Sequence, residues 1–364
     1  MAHTVLTGSN GFLGWHTRCA LRSFGIESKS FRVGTDFSLD NAITAISGSS
    51  QAIHIAGANR GSDTEVSESN IMFAEQFSQA LLHSPERPAT VVYANSIHSS
   101  GSSVYGQSKA KARDLVAAAA SSIGATFVDV MLPNLFGEHG RPNYNSVTAT
   151  FCHKIATGNT PIIDNDVTLS LLHVQNAADL LIGTEKVEKL PGLVVQESVS
   201  GLLARLQSIA ASYKFGEIPN ISSTFDRDLF NTYRSFLPVS TSPFTLTRNA
   251  DDRGSFFEIV RSHGGSGQSS FSTTIPGITR GDHFHRRKVE RFTVLAGEAT
   301  ISMRRLFDDA VIEFPVSGDR PISIDMPTLW SHNIKNTGNE LLYTSFWSNE
   351  IFDPLAPDTF FEKV

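Results

Sequence analysis

The hydrophobic pattern divides the chain into two textures. Up to about residue 237, short apolar runs alternate with longer stretches whose apolar positions recur at helical spacing. That alternation predicts a mostly parallel sheet wrapped by helices. Thr4 leads a β-prone run, and helical spacing follows to about Phe24. A second strand is expected over Ser28 to Val33. Gln51 to Arg60 predicts a strand and its turn, taken as the fourth of the sheet. Asn70 is expected to open a helix running to about His83, and Thr90 to Ala94 to form a strand ending in Asn95-Ser96. Tyr105 enters an alanine-rich helix that reaches about Ser121. Beyond it, Gly140 to Ala156 is polar and then helical, and Leu169 to Asp179 is a strand followed by a helix. Two amphipathic helices, Ser198 to Ser212 and Phe225 to Leu237, complete this part. The second of these is aromatic-rich, which suits either closure over a ligand or packing between domains. After a linker, PVSTSP to Pro243, short alternating strands and turn residues run to Val364, the pattern of a small β-barrel or jelly roll.

The 364 residues exceed what one small core accommodates, so two domains are expected, 1–242 and 243–364. A formal net charge of −6 favours neither nucleic acid nor a membrane surface as partner. No stretch reaches about twenty apolar residues, which excludes a spanning helix. The first residues run into a strand rather than a signal peptide, and a cytoplasmic location is expected. Cys19 and Cys152 lack CxxC spacing and fall in apolar, helical surroundings. They read as buried thiols in a reducing compartment.

Candidate chemistry begins in TVLTGSNGFLG, residues 4–14, where a strand, a glycine turn and a helix follow in that order. Glycine lets the backbone approach a pyrophosphate, and a helix N-terminus favours its charge, so Gly8, Asn10, Gly11, Phe12, Leu13 and Gly14 are candidate dinucleotide contacts. His54, Ala56 and Gly57 follow a neighbouring strand and are expected beside the same cofactor. After the second strand stands Arg32, where NAD enzymes usually carry a carboxylate. A cation there suits a 2′-phosphate and favours NADPH, while Asp36 keeps NAD open.

Tyr105 and Lys109, in YGQSK, are spaced to lie on one helix face. With Ser96 at the preceding strand end they make a set for carbonyl chemistry. Ser96 orients the oxygen, Tyr105 exchanges a proton with it, and Lys109 lowers the tyrosine pKa and holds the cofactor ribose. Together with PNLFG at Pro133 to Gly137, TGSNGFLG, HIAGAN, Ser96 and YGQSK resemble the extended short-chain dehydrogenase/reductase family. The resemblance implies a Rossmann-type α/β reductase domain acting on a nucleotide sugar. The chain departs from that pattern at Ala94-Asn95, where further serines are common, and at Met131, where an arginine is common. Asn143, Tyr144 and Asn145 read equally as sugar contacts or as turn residues.

A second constellation lies in GITRGDHFHRRKVERFTVLAG, residues 277–297. His283 and His285, two apart in an extended segment, share one face. Glu290 follows a short turn, and His332 lies on a later strand between Pro327 and Asn336. Three nitrogens and one carboxylate suit zinc, and also manganese, iron or nickel. The intervening Arg286, Arg287 and Lys288 suit either a phosphate or a solvated turn. The spacing resembles both motifs of the cupin superfamily, with Leu329 where many cupins have glycine. ITRGDHFH and Arg253, in DDRGSF, are similar to deoxysugar 3,5-epimerases, in which such an arginine faces a phosphate.

Over its whole length, including PNYNSV, ATFCHKIA, PGIT and the C-terminal PDT at Pro357 to Thr359, the chain resembles bifunctional capsular-polysaccharide enzymes that join an extended reductase to a zinc cupin. That resemblance implies a UDP-linked 4-keto-6-deoxy-N-acetylhexosamine as substrate. It implies carbon-3 epimerisation at the cupin, ketone reduction with NADPH at Tyr105, and a talose-type product. A homodimer is also expected. A structural or dimerising cupin stays open as an alternative, as does an epimerase or dehydratase that keeps NAD bound. The residue before Tyr105 is not acidic, which weighs against dehydration.

Overall fold

The computed structural model describes residues 3–364; residues 1 and 2, at the start of the expected reductase domain, lie outside the described residues. Five parallel strands form one sheet: β1 (His3–Thr7), β2 (Ser28–Ser30), β3 (Ser49–His54), β4 (Thr90–Ser96) and β5 (Thr126–Leu132), in the order β2-β1-β3-β4-β5. Helices α1 (Phe12–Ser23), α2 (Leu39–Ile46), α3 (Asp63–His83) and α4 (Val104–Ser122) connect them. Successive residues of a strand face opposite ways. Val5, Ala52, Val91 and Tyr93 therefore pack on α2, α3 and α4. Leu6, Ile53, Val92 and Ala94 pack on α1 and the helix Val174–Ile182. This is a doubly wound sheet of Rossmann type, and its order reverses between β1 and β3, where such sheets open a ligand crevice.

Two expectations change. The strand expected as the fourth is third in chain order, because α2, capped by Ser38, leads straight from β2 into it. The helix expected to open at Asn70 begins at Asp63. Ser62 and Glu65 form a reciprocal capping box there and satisfy the first amides. Asn70 sits inside the helix and is buried.

Past residue 242 the chain is all β. Two five-stranded antiparallel sheets form a jelly roll of the cupin type. One runs in the order Gln268–Thr274, Leu342–Ser348, Glu290–Ala296, Ile322–Met326, Pro243–Thr245. The other runs Val311–Ser317, Glu298–Arg305, Trp330–Asn336, Thr279–Phe284, Phe360–Phe361. Phe292, Val294, Ile301, Met303, Ile324 and Ile334 are among the residues that fill the core.

Two compact units emerge. The first comprises the chain up to Phe136, with Tyr144–Ser146 and Thr168–Glu197. The second comprises Gly137–Asn143, Val147–Val167 and Ser198–Val364. The second unit therefore holds the helices Val147–Ala156, Val199–Tyr213 and Thr224–Arg234 as well as the jelly roll. The aromatic-rich helix Thr224–Arg234 packs within that unit, Asn231 donating to the Arg287 carbonyl at 2.9 Å. Both cysteines are free and buried. Among the described residues no helix is long and apolar enough to cross a membrane.

Candidate active site and metal centre

In the first unit the glycine turn follows β1 directly. Gly11 N–H closes on the Gly8 carbonyl at 3.0 Å, and Gly11 caps α1 without a side-chain bond. The amides of the first helical turn are thus left for a ligand. A Cβ on Gly14 would stand 2.0 Å from the Gly8 oxygen, so only glycine lets the helix approach its own turn this closely. Asn10 and Gly11 are exposed, and Gly8, Phe12, Leu13 and Ala56 are half-buried. Thr7 ties the two turns together, its hydroxyl accepting from the amides of Ile55 at 3.2 Å and Ala56 at 3.4 Å. Its one proton then goes to Nδ1 of His54, 2.8 Å away. Burial pushes His54 down to about 3, so it is neutral, between the rings of Phe77 and Tyr93. Arg32 projects into solvent and touches Asp36 at 3.5 Å.

Ser96 ends β4, and its Oγ accepts from the His98 amide at 3.2 Å. Tyr105 lies in the first turn of α4, near enough to Ser96 for that side chain to act on its pKa. A Cβ on Gly106 would stand 2.1 Å from the His98 oxygen. Glycine at this position lets α4 close on the turn that carries Ser96. Lys109, one helical turn on, donates to the Ala94 carbonyl at 2.7 Å and lies 4.2 Å over the Tyr93 ring. Burial pushes Lys109 down to about 7, with Asp129 acting against the shift. The expected lowering of Tyr105 is not found: burial raises its pKa, and the nearby Ser96 offsets only part of this. At neutral pH the phenol is protonated and able to donate.

Asn70 and Asn95, neither expected from the sequence to have such a supporting role, hold this arrangement. Asn70 receives the Ala58 amide at 2.9 Å and donates to the Ala58 carbonyl at 2.9 Å and to Ser108 Oγ at 3.1 Å. It pins the HIAGAN turn to α4. Asn95 donates to Asp129 at 3.1 Å and accepts the Ser96 amide at 2.8 Å. The readable signals were the Ser62-x-x-Glu65 pattern, which places Asn70 on an interior helix face, and a carboxylate in the otherwise apolar run FVDVM. Asn143 and Asn145 take the left-handed conformation of turn residues. Asn145 donates to the Asn59 carbonyl at 3.0 Å, and Arg60 lies over the Tyr144 ring.

In the second unit His283, His285, Glu290 and His332 converge, each offering one atom within 4.8 Å of the others. His283 and His332 are register partners on adjacent antiparallel strands, and Glu290 opens a strand of the other sheet. Nδ1 of His285 donates to the Asp358 carbonyl at 2.5 Å and Nδ1 of His332 to the Trp330 carbonyl at 3.2 Å. In the neutral imidazole each Nε2 is then a bare acceptor. Both are buried without a hydrogen bond, although Nε2 of His285 lies 2.9 Å from the Glu290 carboxylate. Three imidazole nitrogens and a carboxylate oxygen converging in one buried place are the donor set of a divalent metal, which would satisfy all of them at once. Burial pushes His332 down to about 4, keeping it a neutral donor.

Leu329, at the cupin glycine position, adopts φ 64 while fully buried, and its amide donates to the His285 carbonyl at 2.8 Å. Arg287 and Lys288 neither face solvent as a free turn nor form an open phosphate site. Arg287 pairs with Glu350 at 3.0 Å and Lys288 Nζ donates to the Pro357 carbonyl at 2.6 Å. Arg253 sits in an exposed hairpin, paired with Asp251 at 2.5 Å. A cavity of about 670 Å³ in this unit, bordered by Tyr213, Tyr233, Arg234 and Trp330, contains none of the candidate catalytic or metal-binding residues.

A doubly wound sheet with a Ser/Tyr/Lys set, followed by a jelly roll with a three-histidine, one-glutamate cluster, defines a reductase–cupin fusion. Residues 78–184 match the NAD dependent epimerase/dehydratase family and residues 249–360 the polysaccharide biosynthesis C-terminal domain. The chain is 32% identical to UDP-2-acetamido-2,6-beta-L-arabino-hexul-4-ose reductase of Pseudomonas aeruginosa, over 98% of this chain and 97% of that protein. It is also similar to the crystal structure of the capsular polysaccharide assembling protein CapF from Staphylococcus aureus. That similarity has 32% identity and a TM-score of 0.61 and covers 100% of both chains. A shorter similarity, 25% over 122 residues, reaches the spore coat polysaccharide biosynthesis protein SpsL of Bacillus subtilis, covering 31% of this chain and 81% of that protein. The chain belongs to the family of CapF and the hexulose reductase. It is an oxidoreductase of polysaccharide biosynthesis, and its family implies a nicotinamide cofactor.

Proposed function

We propose that the protein reduces the 4-ketone of a UDP-linked 4-keto-6-deoxy-N-acetylhexosamine with NADPH and also epimerises its carbon 3. The product is a UDP-2-acetamido-2,6-dideoxy-talose-type sugar for a capsule or surface polysaccharide. On this reading residues 1–242 form the reductase domain with its sugar-nucleotide lobe, and 243–364 the metal-binding cupin. The observation that carries the reduction is the close approach of α4, with Tyr105 and Lys109 one turn apart, to the end of β4 that carries Ser96: Gly106 packs on the His98 carbonyl and Lys109 donates to the Ala94 carbonyl at 2.7 Å. The full-length relatives, one of them named as a UDP-sugar 4-keto reductase, support the substrate class.

Bound NADPH supplies the hydride. Gly8, Asn10, Gly11, Phe12, Leu13, Gly14 and Ala56 would hold it, and Arg32, exposed and only loosely paired with Asp36 at 3.5 Å, would turn to a 2′-phosphate. Ser96 orients the ketone oxygen, and Tyr105 gives it a proton as carbon 4 becomes an alcohol. Lys109 holds the cofactor ribose and, when charged, stabilises the phenolate left after Tyr105 gives up its proton.

His283, His285, Glu290 and His332 would hold a divalent cation, zinc by donor type. Such a cation supplies Lewis acidity, which eases removal of a proton beside a ketone. The carbon-3 proton leaves from one face and a proton returns to the other. Incubation with NADPH and the UDP-keto sugar in deuterated water tests both halves. Oxidation of one NADPH per product with deuterium at carbon 3 is the expected result. Reduction without exchange would leave the cupin a structural or dimerising module, and turnover without net NADPH use would replace reduction by an epimerase or dehydratase cycle with bound NAD.

A further inference from the structure

The C-terminal residues 357–361 supply neither a catalytic group nor a metal ligand, yet they are built into the metal cluster. Phe360 and Phe361 pair with Phe284 and His283 as an edge strand, and the Glu362 amide donates to the Asp282 carbonyl at 2.9 Å. Immediately before that strand stands Asp358, 3% exposed, with φ 46. Its carboxylate accepts three successive backbone amides: Arg286 at 3.2 Å, Arg287 at 2.9 Å and Lys288 at 2.8 Å. These amides belong to the turn between His285 and Glu290 and have no strand partner. One buried anion satisfies all of them. The two cations of the turn hold the same tail, Lys288 through the Pro357 carbonyl at 2.6 Å and Arg287 through the Ala356 carbonyl at 3.0 Å. The Asp358 carbonyl, in turn, takes the Nδ1 proton of His285.

We propose that Asp358 is a positioning residue of the metal centre, its carboxylate fixing the backbone between His285 and Glu290 and its carbonyl aiming Nε2 of His285 into the cluster. The proposal rests on the reading of that cluster as a metal site. Partners that orient a ligating histidine fix its tautomer and ring direction, and their loss weakens metal binding by about 10- to 100-fold. A tail serving only to close the barrel edge would need the strand pairing of Phe360 and Phe361, but not a buried carboxylate under the ligand turn.

The test uses the full chain, stripped of metal and titrated with zinc against a chromophoric chelator. Asp358→Gly keeps the left-handed backbone and the carbonyl and removes only the carboxylate. Asp358→Asn keeps the shape and one acceptor oxygen. Zinc affinity falls by about 10- to 100-fold in Asp358→Gly and by less in Asp358→Asn, and the visible spectrum of the cobalt-substituted chain changes with it. Affinity within about twofold of wild type in Asp358→Gly overturns the proposal. If that variant does not fold without metal, Asp358→Asn decides in the same way. A wild-type chain that takes up no zinc or cobalt removes the metal site itself, a failure distinct from equal binding by wild type and variant.

Discussion

Lys109 shows how one buried side chain serves chemistry at the expense of stability. Its ammonium has the Ala94 carbonyl and the Tyr93 face as partners, and burial lowers its pKa from 10.5 to about 7. Unfolded, the lysine keeps its proton up to its ordinary value. Between about pH 7 and 10.5 the unfolded chain therefore binds more protons than the folded one, and stability rises with pH across that window. The penalty is present in full below pH 7. Lys109→Met should accordingly raise the melting temperature of the cofactor-free chain most near pH 6, the gain shrinking toward pH 10. A pH-independent difference in scanning calorimetry would show that the lysine is well solvated. The residue types of this site were legible as a Ser, Tyr and Lys at telling separations. The direction of the Tyr105 shift was not, because desolvation depends on what covers the ring.

At the scale of elements, the turn into Trp330–Asn336 places His332 opposite His283. Glycine would adopt the left-handed conformation of Leu329 without strain, yet this leucine is fully buried. Two effects compete in Leu329→Gly. Relief of the left-handed backbone returns about 1–2 kcal/mol. Emptying a core leucine site costs about 2–5 kcal/mol. Packing outweighs strain over nearly all of these ranges, and a net loss of up to about 4 kcal/mol is expected in urea denaturation. A stabilised variant would mean that the strain dominates. Strand, glycine turn and helix at the N-terminus, and the helix opened by Tyr105, were readable because their signals are local. The start of α3 was equally local, in Ser62 and Glu65, but the apolar spacing around Asn70 drew the boundary inward.

At the scale of the molecule, the second unit joins a helical lobe to a jelly roll through a buried ion pair. Arg291 donates to Asp325 at 2.6 and 2.9 Å and to the Gly216 carbonyl at 2.7 Å, and Tyr213 donates to Asp325 at 2.9 Å. Both charges are almost fully buried. Removing one leaves the other unpaired, which costs about 3–5 kcal/mol. Asp325→Ala should lower the stability of the full chain by that amount in chemical denaturation while leaving NADPH affinity within about twofold. Loss of dinucleotide binding would mean that the pair acts beyond its own unit.

The sequence by itself determined the two fold classes, the glycine turn, the Ser/Tyr/Lys set and the four metal-binding candidates. Apart from His332, which lies 42 residues past Glu290 and was legible from its own motif, each of these rests on residue type and short spacing, which backbone periodicity converts directly into geometry. Tertiary structure decided which distant residues serve them. Asn70 reaches a turn 12 residues back, and Asp325 answers Arg291 across 34. Asp358 reaches amides 70 to 72 residues away. A polar side chain finds its partner only once the core has closed around it, because burial makes an unpaired group costly and so selects the pairing.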